Sequence, residues 1–182
     1  ENDDEYSVTE HEVIFGSANS NEPGITKQQA EAALYALRQQ PSLEAAAEML
    51  SGMKPNLAGA ALNRMEPDEA ASVLASMQDE RALAAAFVAM EEENASKALY
   101  AGTAEEREKI LNAISPMAAA TLLSKMSPED AANILSEASP EARANILRAM
   151  TPKRAAEIMA IFSADYPHLM RETFGTLDAN YA

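Results

Sequence analysis

Small and apolar residues recur along most of the chain with a step of twelve positions. The step runs from Ala46 to Ala155, with a slip of one residue before Leu83. Apolar residues also stand three, four and seven positions after each member of this column, which is the spacing of one face of an α-helix. Ten successive copies therefore predict ten short helices, and the reference column reads Ala46, Ala58, Ala70, Leu83, Ala95, Arg107, Ala119, Ala131, Arg143 and Ala155.

The positions where these helices begin are also marked. Proline stands three residues before the column in six copies, where its missing N–H removes no helical hydrogen bond. In four of the six the preceding residue is predicted to cap the helix N-terminus, and these residues are Ser115, Ser127, Ser139 and Thr151. Asp79 and the pair Thr103 and Glu106 predict two further caps, the second of them a capping box. The spacing leaves helices of about 9–10 residues joined by corners of about two residues.

Short helices of this kind are stable only when neighbours cover their apolar faces. Near-identical helices that cover one another in sequence form an α-solenoid with two helices per layer. The predicted fold class is therefore all-α: a right-stacked short-helix α-solenoid, or superhelix, of about 10–12 helices with a twelve-residue helix repeat. A first helix is predicted over 27–38 and a closing helix over about 166–177. The predicted domains are an acidic extended arm over 1–25, the helical repeat over 26–163, and the closing helix with a tail over 164–182.

The first 24 residues differ from the rest of the chain because they hold seven acids and neither Lys nor Arg. Low hydrophobicity and high charge are typical of a disordered tail. The same stretch contains the apolar run Val13, Ile14 and Phe15, which favours a second interpretation. In that interpretation the run is a docking segment that inserts into a partner or folds back on the helical body. We predict these three residues as partner-binding, and both interpretations stay open.

Composition narrows the function classes. The formal net charge of −15 disfavours nucleic acid and anionic membrane surfaces as partners, because both carry phosphates that repel an acidic protein. The chain has no Cys, so neither a disulfide scaffold nor a thiolate metal site is predicted. No apolar run approaches the roughly 20 residues that span a bilayer, so no direct membrane insertion is predicted. We expect a soluble compartment: the cytoplasm or, if the start at Glu1 reflects processing, an organelle interior such as the plastid stroma.

Two stretches carry a resemblance to a known family. Residues 65–74 read MEPDEAASVL and residues 126–135 read MSPEDAANIL. This pattern resembles the N-terminal helical domain of the MgtE magnesium transporters over about 41–163, and related superhelices of the flagellar rotor protein FliG and of flagellar stator chaperones. The resemblance implies a superhelical fold. It also implies either protein binding, as in the flagellar relatives, or a response to Mg²⁺ that screens carboxylates between domains, as in the transporters.

No set of residues predicts catalysis. His11 and His168 are the only histidines, and neither is accompanied by a nucleophile or an oxyanion-binding device. Runs of acids over 91–93 and 105–108 predict solvated helix starts, with weak binding of divalent cations as the alternative. We therefore expect no enzymatic activity, no cofactor and no defined metal site.

The C-terminal half is the least acidic region and supplies the remaining candidates. Its basic side chains are predicted to meet an acidic patch of a partner or the chain's own arm, with a plain solvated face as the alternative. The partner-binding candidates there are Arg143, Arg148, Lys153, Arg154 and Phe174. The predicted function is a non-enzymatic scaffold or linker subunit that binds other proteins of a larger assembly. The alternative is a regulatory domain that responds to divalent cations.

Overall fold

The twelve-residue repeat folds into short α-helices that follow one another along the chain. The structure is a computed structural model that describes residues 24–179, and within that range it is all-helical, with no β-strand. The helices are α1 (Lys27–Arg38), α2 (Leu43–Ser51), α3 (Pro55–Leu62), α4 (Pro67–Ser76), α5 (Glu80–Val88), α6 (Glu92–Ala101), α7 (Ala104–Ala113), α8 (Pro116–Lys125), α9 (Pro128–Ser136), α10 (Pro140–Ala149), α11 (Pro152–Asp165) and α12 (Pro167–Ala179). The predicted all-α fold class is therefore confirmed.

The predicted caps set where these helices begin. Four hydroxyls accept a hydrogen bond from the amide three residues later, and they belong to Ser115, Ser127, Ser139 and Thr151. At the start of α7, Thr103 and Glu106 form the predicted capping box, in which the Thr103 amide donates to Glu106 Oε2 at 2.8 Å. Asp79 caps α5 by accepting from the amides of Arg81 and Ala82. Each cap partners amides that would otherwise lack an acceptor inside the helix.

The predicted apolar stripe forms the core. In α2 to α10 the residue four positions after the reference column is buried in every helix, and these residues are Leu50, Leu62, Leu74, Phe87, Leu99, Leu111, Leu123, Leu135 and Leu147. Most helices pack mainly against the helix two places later in the chain. In the first half α1 packs on α3, α2 on α4, α3 on α5 and α4 on α6, and further along α8 packs on α10, α9 on α11 and α10 on α12. This packing places two helices in each layer, as expected for a short-helix solenoid.

Packing divides the chain into two compact units, one that ends at Gly102 and one that begins at Thr103. We call them the N-terminal unit, with α1 to α6, and the C-terminal unit, with α7 to α12. The sequence pattern marks no break at this corner, because the twelve-residue step passes through it without a slip. The one slip falls before Leu83, in the corner between α4 and α5.

The ends of several helices differ from the prediction. The corners between α1 and α12 hold one to four residues, and four of the eleven hold the predicted two. α11 continues past residue 163 to Asp165, because residues 163–165 include neither Pro nor Gly to stop it. The ring of Tyr166 then packs edge-on against Phe162, with the ring centroids 6.0 Å apart, and Pro167 opens α12.

Gly59 allows a close approach between two helices of the N-terminal unit. A Cβ atom at this position would lie 2.3 Å from the backbone oxygen of Ala89, the C-cap residue of α5. That distance is far inside van der Waals contact, so α3 can pack against the end of α5 only because residue 59 has no side chain.

Of the predicted arm, only Gly24 and Ile25 are among the described residues. Val13, Ile14 and Phe15 lie outside them. The choice between a disordered tail and a docking segment therefore stays a prediction at this point.

Candidate partner-binding surface

Arg143 lies on the buried face of α10 and is 2 % exposed. Its guanidinium donates to the backbone oxygens of Leu135, at 3.1 Å, and Ala138, at 2.9 Å, at the C-terminal end of α9. It also donates to the backbone oxygen of Leu169 at 3.3 Å and to the hydroxyl of Thr173 at 3.2 Å, both on α12. One side chain on α10 therefore joins α9 to α12.

The chemistry of helix ends explains how arginine can replace alanine in this buried column. The last carbonyls of a helix lack intrahelical partners and carry partial negative charge, which a guanidinium satisfies. The ring of Phe162 adds a cation–π contact, with its centroid 5.9 Å from the guanidinium carbon of Arg143. Burial lowers the pKa of Arg143, while the Glu172 carboxylate, 3.7 Å away, raises it. Arginine remains protonated under such opposing influences because its intrinsic pKa is so high.

This location corrects the prediction that Arg143 contributes to a partner-binding surface. An acidic patch on a partner cannot contact a side chain that is enclosed by its own unit and donates to four acceptors there. Arg143 instead fixes the position of α12 against α9 and α10.

Arg154 has a similar role at the end of α8. Its Nη2 donates to the backbone oxygen of Leu123 at 3.1 Å and to that of Met126, the C-cap residue of α8. Its Nη1 donates to Glu157 at 3.1 Å, and only 11 % of the Arg154 side chain is exposed. The Arg154 guanidinium thus serves carbonyls of α8 and is little exposed, and its contact with a partner stays a prediction.

The other three C-terminal candidates are exposed. Arg148 lies in the last turn of α10, where its Nη1 donates to Asn145 at 3.1 Å. Lys153 lies in the first turn of α11, and Phe174 lies on α12 with 46 % of its surface exposed. The structure thus leaves these three accessible, and their contact with a partner stays a prediction.

Phe174 shares the exposed side of α12 with residues that the sequence interpretation did not select. His168, Arg171 and Phe174 are all exposed and follow one another at intervals of three residues, which makes them neighbours on a helix surface. We call these three residues the α12 outer face. Arginine and aromatic side chains are enriched at the centres of protein interfaces. The spacing of Arg171 from Phe174 was the sequence signal for this face.

Arg107, the second arginine of the reference column, is also a packing residue. Its Nη2 donates to Glu137 Oε1 at 2.8 Å and its Nε donates to Glu137 Oε2, so the pair is bidentate. The two side chains are only 16 % and 26 % exposed. Glu137 is the C-cap residue of α9, so the pair links α7 to the end of α9. Both arginines of the column therefore hold helices of the C-terminal unit together.

The acidic helix starts take part in caps and ion pairs. Glu106 belongs to the capping box of α7. Lys97 Nζ donates to Glu93 Oε1 at 2.6 Å, and this bond holds the pKa of Glu93 below its usual range. Among residues 24–179, no group of three or more His, Asp and Glu side chains is arranged to hold a metal ion. Weak binding of divalent cations stays a prediction.

The helices are short and carry many polar residues. Within the part of the chain that the structure describes, every helix is too short or too polar to cross a bilayer.

Comparison with known protein families gives two overlapping matches. The model of the family described as the MgtE intracellular N domain matches residues 25–110 and again residues 79–166. Together the two matches span α1 to α11 and confirm the resemblance seen in the sequence. No curated protein and no solved structure matches the chain.

Proposed function

This chain belongs to the MgtE intracellular N domain family, and on that premise we propose that it is a non-enzymatic scaffold or linker subunit. It binds other proteins within a larger assembly, and the α12 outer face is its main contact. The proposal rests on this exposed face of α12. The buried arginines are not available to a partner, because they hold helices of the C-terminal unit together.

The observation that carries the proposal is the position of Phe174. This side chain is 46 % exposed, and it follows Thr173, whose hydroxyl accepts a hydrogen bond from the buried Arg143. Its helix is therefore fixed before any partner arrives. An aromatic side chain on a fixed helix loses little conformational entropy on binding, which favours a role as an interface anchor.

The charge of the same face indicates the chemistry of the partner. The chain as a whole is acidic, yet Arg171 lies beside Phe174 on α12. Arg148 and Lys153 are also exposed in the C-terminal unit. A partner that offers an apolar pocket rimmed by Asp or Glu would match Phe174 and Arg171, because charge complementarity speeds encounter and disfavours wrong partners.

We expect the tagged chain, captured gently from a native extract of its source, to retain a reproducible set of other proteins. The double variant Arg171→Ala/Phe174→Ala should lose that set, because truncating an aromatic or arginine anchor typically costs about 2 kcal/mol or more of binding free energy. Quantitative mass spectrometry of the captured fractions measures the loss.

Met117 provides a matched control for this test. It is a large apolar residue of the same unit with 62 % of its surface exposed, and Met117→Ala should retain the partners. Retention of the partners by the double variant would contradict the proposed face. Recovery of the unaltered chain alone would contradict the scaffold function itself.

A second candidate function is a regulatory domain that responds to divalent cations. It is favoured by the family match and by acids in the first turns of several helices, such as Asp68 and Glu69 in α4 and Glu105 in α7. If it is right, millimolar Mg²⁺ should raise the thermal unfolding midpoint more than a monovalent salt at the same ionic strength. Scanning calorimetry measures both midpoints, and equal shifts in the two salts would exclude this candidate.

A further inference from the structure

An apolar groove lies at the start of the N-terminal unit. It has a volume of about 670 Å³ and runs between α1 and the corner that leads into α3. Its lining includes Ile25, Ala33, Met53 and Leu57, with Gln29 and Lys54 as polar members. A groove of this size is in the range that encloses several apolar groups of a ligand, roughly 300–1,000 Å³.

The repeat explains why this surface is open. Helices of the unit are covered mainly by the helices two places before and two places after them. Within the described residues no helix precedes α1, so among those residues the first layer is covered on one side only. End layers of solenoids need a separate cap for the same reason.

We propose that the segment Val13-Ile14-Phe15 of the same chain occupies this groove and caps the first layer. These residues form the longest apolar run in the first 24 positions. The linker from Phe15 to Gly24 holds residues 16–23, and Gly24 itself lines the groove. Eight residues span up to roughly 28 Å when extended, so the segment can turn back and reach the groove without strain.

Charge also favours the segment as the occupant. Glu10 and Glu12 lie within the three residues before Val13, and residues 1–23 hold neither Lys nor Arg. The groove lining offers Lys54. Lys27, at the first position of α1, follows Thr26 of the lining in the sequence. Lys54 is also the N-cap of α3. A lysine side chain cannot accept a hydrogen bond from a helix amide, so this helix start has no side-chain cap and favours a nearby carboxylate.

This inference stands apart from the proposed function, because it concerns the opposite end of the chain and needs no partner. It also makes the acidic segment a structural part of the N-terminal unit.

Paramagnetic broadening tests the contact in the full chain. The chain has no Cys, so Ser17→Cys places a single nitroxide two residues after Phe15. With ¹³C-labelled methyl groups, the signals of Met53 and Leu57 should lose most of their intensity relative to the reduced label. The variant Val13→Ser/Ile14→Ser/Phe15→Ser should restore them.

Two further variants control the experiment. Val8→Ser removes an apolar residue that lies before the segment Val13-Ile14-Phe15. In this variant the signals of Met53 and Leu57 should still be broadened. Ile25→Glu changes the groove at a position before α1, so no helix is altered, and it should restore the signals as the triple variant does.

A mixed sample separates the chain's own segment from that of a second copy. It combines spin-labelled chains without ¹³C and ¹³C-labelled chains without the nitroxide. Broadening that occurs only when one chain carries both the nitroxide and the ¹³C label supports the proposal. Broadening in the mixed sample would overturn it in favour of exchange between copies, and intact signals in both samples would overturn it altogether.

Discussion

Arg143→Ala should lower the free energy of unfolding of the C-terminal unit by about 3–5 kcal/mol. The substitution removes donors from the oxygens of Leu135, Ala138 and Leu169 and from the hydroxyl of Thr173. The Leu135 oxygen keeps the Ala138 amide as a donor, at 3.2 Å. The Leu169 oxygen keeps the Thr173 hydroxyl as a donor, at 2.6 Å. The loss of stability therefore comes from the charge-assisted hydrogen bonds, about 1.5–3 kcal/mol each, and from the cavity that the missing side chain leaves. Urea unfolding followed by far-ultraviolet circular dichroism measures the change, and amide hydrogen exchange locates it in α9 and α12.

Two substitutions on the same helix or at the same site sharpen this test. Arg148→Ala removes an exposed arginine from α10 and should change stability by no more than about 0.5 kcal/mol. Arg143→Lys keeps the charge but lacks the planar set of donors, so it should recover only part of the loss. If Arg143→Ala were as mild as Arg148→Ala, the bonding role of Arg143 would be wrong.

Gly59→Ala should destabilise the N-terminal unit by about 1–3 kcal/mol, although alanine is the better helix former by about 1 kcal/mol. The added Cβ would lie 2.3 Å from the backbone oxygen and 2.5 Å from the backbone carbon of Ala89. Backbone atoms cannot rotate away as a flexible side chain can, so α3 and the end of α5 must separate. Thermal unfolding of the variant beside the unaltered chain measures the effect.

Gly175 gives the matched control with the opposite sign. It also lies inside a helix, α12, but a Cβ atom there meets nothing within 4 Å. Gly175→Ala should therefore stabilise the protein by about 0.5–1 kcal/mol through helix propensity alone. A stabilising Gly59→Ala would show that the α3–α5 contact adjusts more easily than the distances suggest.

The sequence predicted the helices well because several signals agree in each copy of the repeat. At Ser127, for example, a cap, a proline and an apolar stripe all indicate the same helix start. The corners were predicted less well, since their length depends on how two packed helices meet. The break at Thr103 was not predicted, because it arises from contacts between helices and not from the local pattern.

The candidate site shows where a one-dimensional pattern is ambiguous. An arginine among the alanines of the reference column suggested that the helix exposes this position to solvent. Arg143 is instead buried, as the other members of its column are expected to be. The carbonyls that make this possible come from α9 and α12, which the position of one residue in a repeat does not reveal. In retrospect, the burial expected for the column was a better guide than the charge of the side chain.

Most helices pack on the helix two places later in the chain. This arrangement limits how such a chain can change its length during evolution. Removal of one helix would move every later helix of its unit to the opposite side of the stack and exchange the partners of its buried face. Removal or duplication of two consecutive helices would keep each later helix on its own side. Folded relatives of different length should therefore differ by pairs of helices, which are gained or lost together.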